Sequence, residues 1–142
     1  MHRRKVELEI VCDSDFLMKI VNDPLPKFDW KFLSIENEFV TLPCVLRELG
    51  GLASGTTGKA SMKARNTLNV LSSSKYVKTT PEPEDHGEVD FALLQFVSRN
   101  PNERILATLD GSLLAALEKR GLGYLTLSSD KPLIHEPRQQ RI

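Results

Sequence analysis

Apolar and polar positions change period repeatedly along the chain, and each change marks an element. KVELEIVC, from residue 5, alternates in part around Glu7 and Glu9. It predicts a strand over 5–12 that stops on Asp13 and Asp15. SDFLMKIV follows as a helix, and NDPLPKFDW breaks the pattern with two prolines in three positions. FVTLPCVLRELGGL predicts a short strand from Phe39 to Leu42 and then a helix. Thr41 or its neighbour would cap that helix, Pro43 suits its first turn, and Gly50-Gly51 would end it. In SGTTGKASMKARNTLNVLSSS, Ala60, Ala64, Leu68 and Leu71 fall at helical spacing, with Lys59, Lys63 and Arg65 mostly off that stripe. KYVKTT reads as a short strand and PEPEDHG as a loop. EVDFALLQFVSR reads as a helix, RILATL as a strand, GSLLAALEKRG as a helix closed by Gly121, and GYLTL as a strand. Residues 1–128 form one expected domain. Residues 129–142 form a polar tail with an edge segment at Leu133-Ile134.

Strands and helices alternate throughout. The expected class is α/β, a three-layer α/β/α sandwich around a central, mostly parallel sheet, with ligands at the carboxyl ends of its strands. A chain of 142 residues suits one core. Nineteen basic against nineteen acidic residues leave no global field favouring nucleic acid or a membrane, although a local basic patch remains compatible with that balance. No apolar run nears the roughly 20 residues of a spanning helix, and the basic N-terminus lacks a signal peptide's continuous apolar stretch. A cytoplasmic protein is expected. Cys12 and Cys44 lack metal-motif spacing and read as reduced, buried residues.

Four acids occupy awkward places. Asp13 and Asp110 end apolar strands. Glu48 shares a helix face with Val45, Leu49 and Leu52, and Asp90 opens a helix whose next face is Leu93, Leu94 and Val97. Helical spacing turns Glu48 and Asp90 inward. Taken singly, Asp13 and Asp110 read as N-caps, Asp90 as a charge at the positive end of its helix, and Glu48 as a partner of Arg47 or Arg65 or a rim residue. Taken together, they suggest one shared cause, a divalent cation that relieves crowded carboxylates by oxygen coordination.

IVCDSDFLM, TLPCVLREL, GEVDFALLQFV and RILATLDGSLLAALEKRGLGYLTL, in this order, resemble the motifs of PIN-domain nucleases over residues 5 to 127. The flavour is similar to archaeal stand-alone PIN proteins and to the VapC-type toxin and rRNA-processing branches. The resemblance implies a Mg²⁺- or Mn²⁺-dependent endoribonuclease. It carries the catalytic, metal-binding acids onto Asp13, Glu48, Asp90 and Asp110, and a supporting hydroxyl onto Thr108. Asp15 stands where many relatives have asparagine or serine and adds a fifth carboxylate; Leu109 stands where many have asparagine. Lys59, Lys63 and Arg65, with Lys119 and Arg120, are candidates for RNA phosphate contact or an ordinary solvated face. His2, His86 and His135 fall in terminal or loop segments and read as surface. The resemblance also implies homodimerisation, for which Phe28, Trp30 and Phe32 offer an apolar cluster that either belongs to the core or forms an exposed patch, and it makes an antitoxin or a ribosome-assembly factor a candidate partner.

Three rival readings stand beside this one. DSDF and LDGS resemble the DxD motif of aspartyl phosphatases, but that class, like a response-regulator receiver, leaves Glu48 unexplained. A non-catalytic PIN scaffold for RNA binding or assembly keeps the fold without turnover. In the third reading all four acids are caps and surface pairs.

Overall fold

A computed structural model describes residues 8–23, 36–55, 58–73, 76–81, 88–129 and 131–137. Within them the elements are β1 (Glu9–Cys12), α1 (Ser14–Asn22), β2 (Glu38–Thr41), α2 (Pro43–Ala53), α3 (Lys59–Ser73), β3 (Val77–Thr79), α4 (Val89–Ser98), β4 (Arg104–Ala107), α5 (Gly111–Lys119), β5 (Gly123–Ser128) and β6 (Lys131–His135). The expected first strand before residue 8, the aromatic cluster Phe28, Trp30 and Phe32, and His2 and His86 lie outside the described residues.

One six-stranded sheet runs in the order β3-β2-β1-β4-β5-β6. Every pairing is parallel except the β5–β6 hairpin. Helices flank it in an α/β/α arrangement. Ile10, Val11, Cys12, Ile105, Leu106 and Ala107 are all fully buried. These central strands are covered on both faces, which explains why they read as apolar runs rather than alternating ones. Helices contribute Phe16 and Leu17, Val45 and Leu49, Leu93 and Val97, and Leu113 and Leu117 to the same core.

Several local expectations are corrected. α2 does not stop at Gly50-Gly51 but runs to Ala53, because the backbone ladder continues: Ser54 N–H donates to the Gly50 carbonyl. Its N-cap is Leu42, which makes no side-chain cap bond. The Thr41 hydroxyl instead donates to the Cys12 carbonyl at 2.9 Å, tying β2 to β1. The buried stripe of α3 is Ser61, Ala64 and Thr67, with Leu68 and Leu71 half-buried and Ala60 exposed. Polar residues occupy it because their hydroxyls are satisfied: Thr67 donates to the Lys63 carbonyl at 2.6 Å and accepts from Asn22 Nδ2 at 3.1 Å. RILATL leaves the sheet after Ala107, so Thr108 and Leu109 belong to the connection that follows.

Gly121 ends α5 with φ 69°, as its place after the last apolar residue predicted. Beyond it, the residues around Leu133-Ile134 form β6, the antiparallel edge strand. His135 therefore sits on a strand rather than in a loop, its ring stacked on Tyr124 at 5.0 Å. β5 begins at Gly123 because nothing larger fits there. A Cβ would lie 2.6 Å from Ile105 Cγ2 and 2.9 Å from the His135 carbonyl oxygen. Gly123→Ala is expected to destabilise by roughly 1–3 kcal/mol through overpacking. A urea midpoint equal to the wild type's would show that β4 and β6 yield freely around this residue.

Candidate functional site

The sheet order places a topological switch between β1 and β4. The chain leaves β1 toward β2 and β3, then returns across the sheet to enter β4 on the other side. Open α/β sheets bind ligands in the crevice at the carboxyl ends of two such strands. In the β1–β4 register Cys12 faces Ala107, so the residues just beyond, Asp13 and Thr108, are neighbours. Asp13 N–H donates to the Ala107 carbonyl at 3.1 Å.

Asp13 is buried, with 5% of its surface exposed. Its Oδ1 accepts from Phe16 N–H at 2.8 Å, capping α1, and its Oδ2 accepts from the Thr108 hydroxyl. Thr108 Oγ1 in turn accepts from Asp110 N–H at 3.1 Å. Asp110 caps α5 through Oδ1, which accepts from Ser112 N–H, the Ser112 hydroxyl and Leu113 N–H at 2.8, 2.7 and 3.3 Å; none of the three bonds uses Oδ2. Both aspartates thus perform the capping that strand-end position suggested. One hydroxyl, Thr108, couples them.

Glu48 and Asp90 correct an expectation. Both side chains are exposed rather than inward-facing. Their helix faces are right, since Val45, Leu49, Leu93, Leu94 and Val97 are buried. Each acid, however, sits where its face emerges from the core. Glu48 accepts a hydrogen bond from the Ser14 hydroxyl, which joins α2 to the first turn of α1. Asp90 occupies the first turn of α4. Asp15 is exposed beside them.

Electrostatics connect these acids. Burial pushes the Asp13 carboxyl from 3.8 up to about 7, against the lowering effect of its Thr108 and Phe16 bonds and with help from Asp15 and Asp90. Partial desolvation raises Asp90, and Asp110, Glu48, Glu88 and Asp15 each raise it further. Asp110 is lowered, first by the Ser112 hydroxyl and then by its backbone cap bonds. Among the described residues no three acidic, histidine or cysteine side chains stand close enough to enclose a metal ion. The donor set nonetheless fits a hard divalent cation: every candidate ligand is a carboxylate oxygen, and the neighbouring charges raise the protonation of Asp13 and Asp90.

Lys59 and Lys63 line a cavity of about 640 Å³ with Met18, Lys19, Leu109 and Asp110, adjoining the acidic centre. Arg65 is exposed and does not line it. Lys119 borders a separate cavity beside His135. Ser14 joins the site without having been expected there. Its signal was a hydroxyl immediately after Asp13, at a helix position that turns out to be buried. If Ser14 orients Glu48, Ser14→Ala should weaken the Mn²⁺-induced rise in melting temperature while Ser14→Thr restores it. Equal Mn²⁺ titrations for wild type and Ser14→Ala would exclude that role.

No family profile and no curated protein sequence matches the chain. Its fold is nevertheless that of a PIN domain. A solved structure with this fold is the PIN domain endonuclease Utp24, similar over 92% of both chains with a TM-score of 0.67 and 17% sequence identity. Identity at that level speaks for the fold alone. Among the described residues no helix is long and apolar enough to cross a membrane.

Proposed function

We propose that this protein is a nuclease that hydrolyses RNA phosphodiester bonds with Mg²⁺ or Mn²⁺ held by Asp13, Glu48, Asp90 and Asp110. One observation carries the reading. Acids from four separate parts of the chain lie near enough for their charges to be felt: Asp110 and Glu48 raise Asp90, and Asp90 raises Asp13, in a fold shared with a PIN domain endonuclease. Capping accounts for Asp13 and Asp110 but supplies no reason for Asp90 to lie within electrostatic reach of Asp13, Glu48 and Asp110. A bound cation would supply water activation and charge stabilisation at the phosphate. The chain's own residues hold that position ready: Thr108 fixes Asp13, Ser14 restrains Glu48, and the α5 cap fixes Asp110.

Both cap bonds are also what the purely structural reading requires, so the test must separate the two. Structured and single-stranded RNA incubated with Mn²⁺, Mg²⁺ or EDTA should be cleaved only with metal, and Mn²⁺ should raise the melting temperature in the absence of RNA. Metal stabilisation without cleavage would favour a non-catalytic scaffold. A melting temperature unmoved by millimolar metal would favour caps alone.

A further inference from the structure

β6 ends the sheet, and among the described residues no strand pairs with its outer side. The direction of its backbone groups follows from its neighbour. The Leu125 carbonyl accepts from Thr108 N–H at 3.0 Å, so Leu125 turns its backbone toward β4. Leu125 faces Ile134 in the hairpin register. In an antiparallel ladder, opposite residues that do not bond each other turn their backbone groups away from one another. Ile134 therefore points its N–H and C=O outward, and by alternation so do Pro132 and Glu136. The His135 carbonyl oxygen, in contrast, is turned back toward Gly123 on β5. Pro132, with no N–H to donate, suits an outward position. Leu133 and Ile134 are exposed by 50% and 39%, on opposite faces of the strand. An uncovered edge with apolar side chains on both faces is a template for another strand.

We propose that β6 pairs antiparallel with β6 of a second copy of this chain, about a two-fold axis at Ile134, so that the two sheets become one. The strand is complementary to itself in this register. Ile134 N–H and C=O meet their own copies, and the two isoleucine side chains pack on each other. The Pro132 carbonyl meets the N–H of Glu136, so the donor that proline lacks is not needed there. Other axes serve worse. One at Pro132 loses both central donors, and one at Leu133 asks Pro132 to donate to Ile134. One at His135 sets Ile134 against a glutamate, and one at Glu136 sets two carboxylates face to face. The Ile134 register also fills a cavity. Leu133 and His135 share the face toward α5, since His135 stacks on Tyr124 and the Tyr124 hydroxyl donates to Glu118. Across the axis Leu133 stands opposite the partner's His135, at the mouth of a cavity of about 470 Å³ walled by Ala115, Leu122 and His135. Two-fold pairing closes on itself and stops at a dimer. One strand pair with few apolar anchors is a small interface, so a dissociation constant on the order of 10⁻⁵ M is expected. The candidate acids lie at β1 and β4, with β5 between them and β6, so the pairing leaves them clear and stands whether or not they hold metal.

Sedimentation equilibrium of the full chain, joined to backbone amide exchange read by NMR at low and high protein concentration, tests the proposal. Wild type should pass from monomer to dimer around the expected constant, with the Ile134 and Glu136 amides protected only in the dimer. Ile134→Pro removes an outward donor that the hairpin does not use and should leave a monomer. Ile134→Lys sets two ammonium groups on the axis, and Leu133→Glu brings a carboxylate to the partner's Glu118. Each should weaken association by about tenfold or more. The exchange measurement on wild type needs no variant, so a substitution that unfolds the chain does not shelter the proposal. A wild type still monomeric at about ten times the expected constant overturns the inference. So does a dimer whose Ile134 amide exchanges as fast as the monomer's, or one that all three variants leave intact, since its interface would lie on another surface. Species larger than a dimer overturn the closed two-fold.

Discussion

Asp110→Asn should abolish metal-dependent RNA cleavage while leaving the protein folded. Asparagine caps a helix about as well as aspartate, so the bonds from Ser112 and Leu113 to Oδ1 can persist and α5 should keep its start. What disappears is one negative charge that raises the Asp90 carboxyl. Without metal the variant should therefore be within about 1 kcal/mol of wild type, or more stable. With metal the two should diverge. A lost carboxylate ligand should remove the Mn²⁺ shift and lower cleavage by roughly 100-fold or more, as expected when several kcal/mol of cation-derived stabilisation are forfeited. Asp110→Ala separates the roles further. It loses the cap as well, at about 1 kcal/mol in the metal-free protein. Paired melts of the three proteins with and without Mn²⁺ decide the matter. A full Mn²⁺ shift in both variants would remove Asp110 from the site and leave it as a cap.

In the metal-free protein, stability should fall as pH rises from about 4 to about 7, because of Asp13. Burial holds this carboxyl protonated up to about 7, against an ordinary 3.8. Across that window the native state binds a proton that the unfolded chain has released, so the free energy of unfolding declines with pH. The whole effect is on the order of 4 kcal/mol, about three pKa units at 1.36 kcal/mol each. Asp90 is raised too and acts in the same direction. Asp23 and Asp110 are lowered, and their opposite contribution is lost only as pH falls below about 4. Urea titrations at pH 5 and pH 7.5 in EDTA should show the decline in wild type. Asp13→Asn, which has no proton to release, should flatten most of it. A wild-type midpoint that is constant or rises between those pH values would contradict the environment described for Asp13.

Much of this arrangement could be read from residue order. The alternation of apolar strands with 3.6-period helices specified an α/β sheet, and the strand-end positions of Asp13 and Asp110 marked the carboxyl edge of that sheet as its polar end. The errors cluster where a local pattern is silent about tertiary surroundings. Helical spacing identifies the face that bears Glu48 but not the point at which that face leaves the core. Ser61 and Thr67 entered the α3 interface because Thr67 finds hydrogen-bond partners in Lys63 and Asn22, and Asn22 lies far off in the sequence. Gly50-Gly51 looked like a helix end, yet both glycines sit inside α2 with nothing near the place a Cβ would take. The edge segment expected at Leu133-Ile134 is present as β6, but its bounds were not legible, since an edge strand with exposed side chains has no buried face to mark where it starts and stops.

The pairing of β1 with β4 also sets an order of events in time. Thr108 and Asp13 are 95 positions apart, and the two strands between which they sit are joined only after the intervening elements have been laid down. Parallel contacts of such separation are slow to form, because loop-closure entropy must be met before any native contact offsets it. A chain emerging from the ribosome would therefore carry Asp13 and Glu48 for most of its synthesis without Asp90 and Asp110. If the proposed nuclease reading holds, such a late-closing centre would leave a growing chain chemically inert toward the RNA that surrounds it.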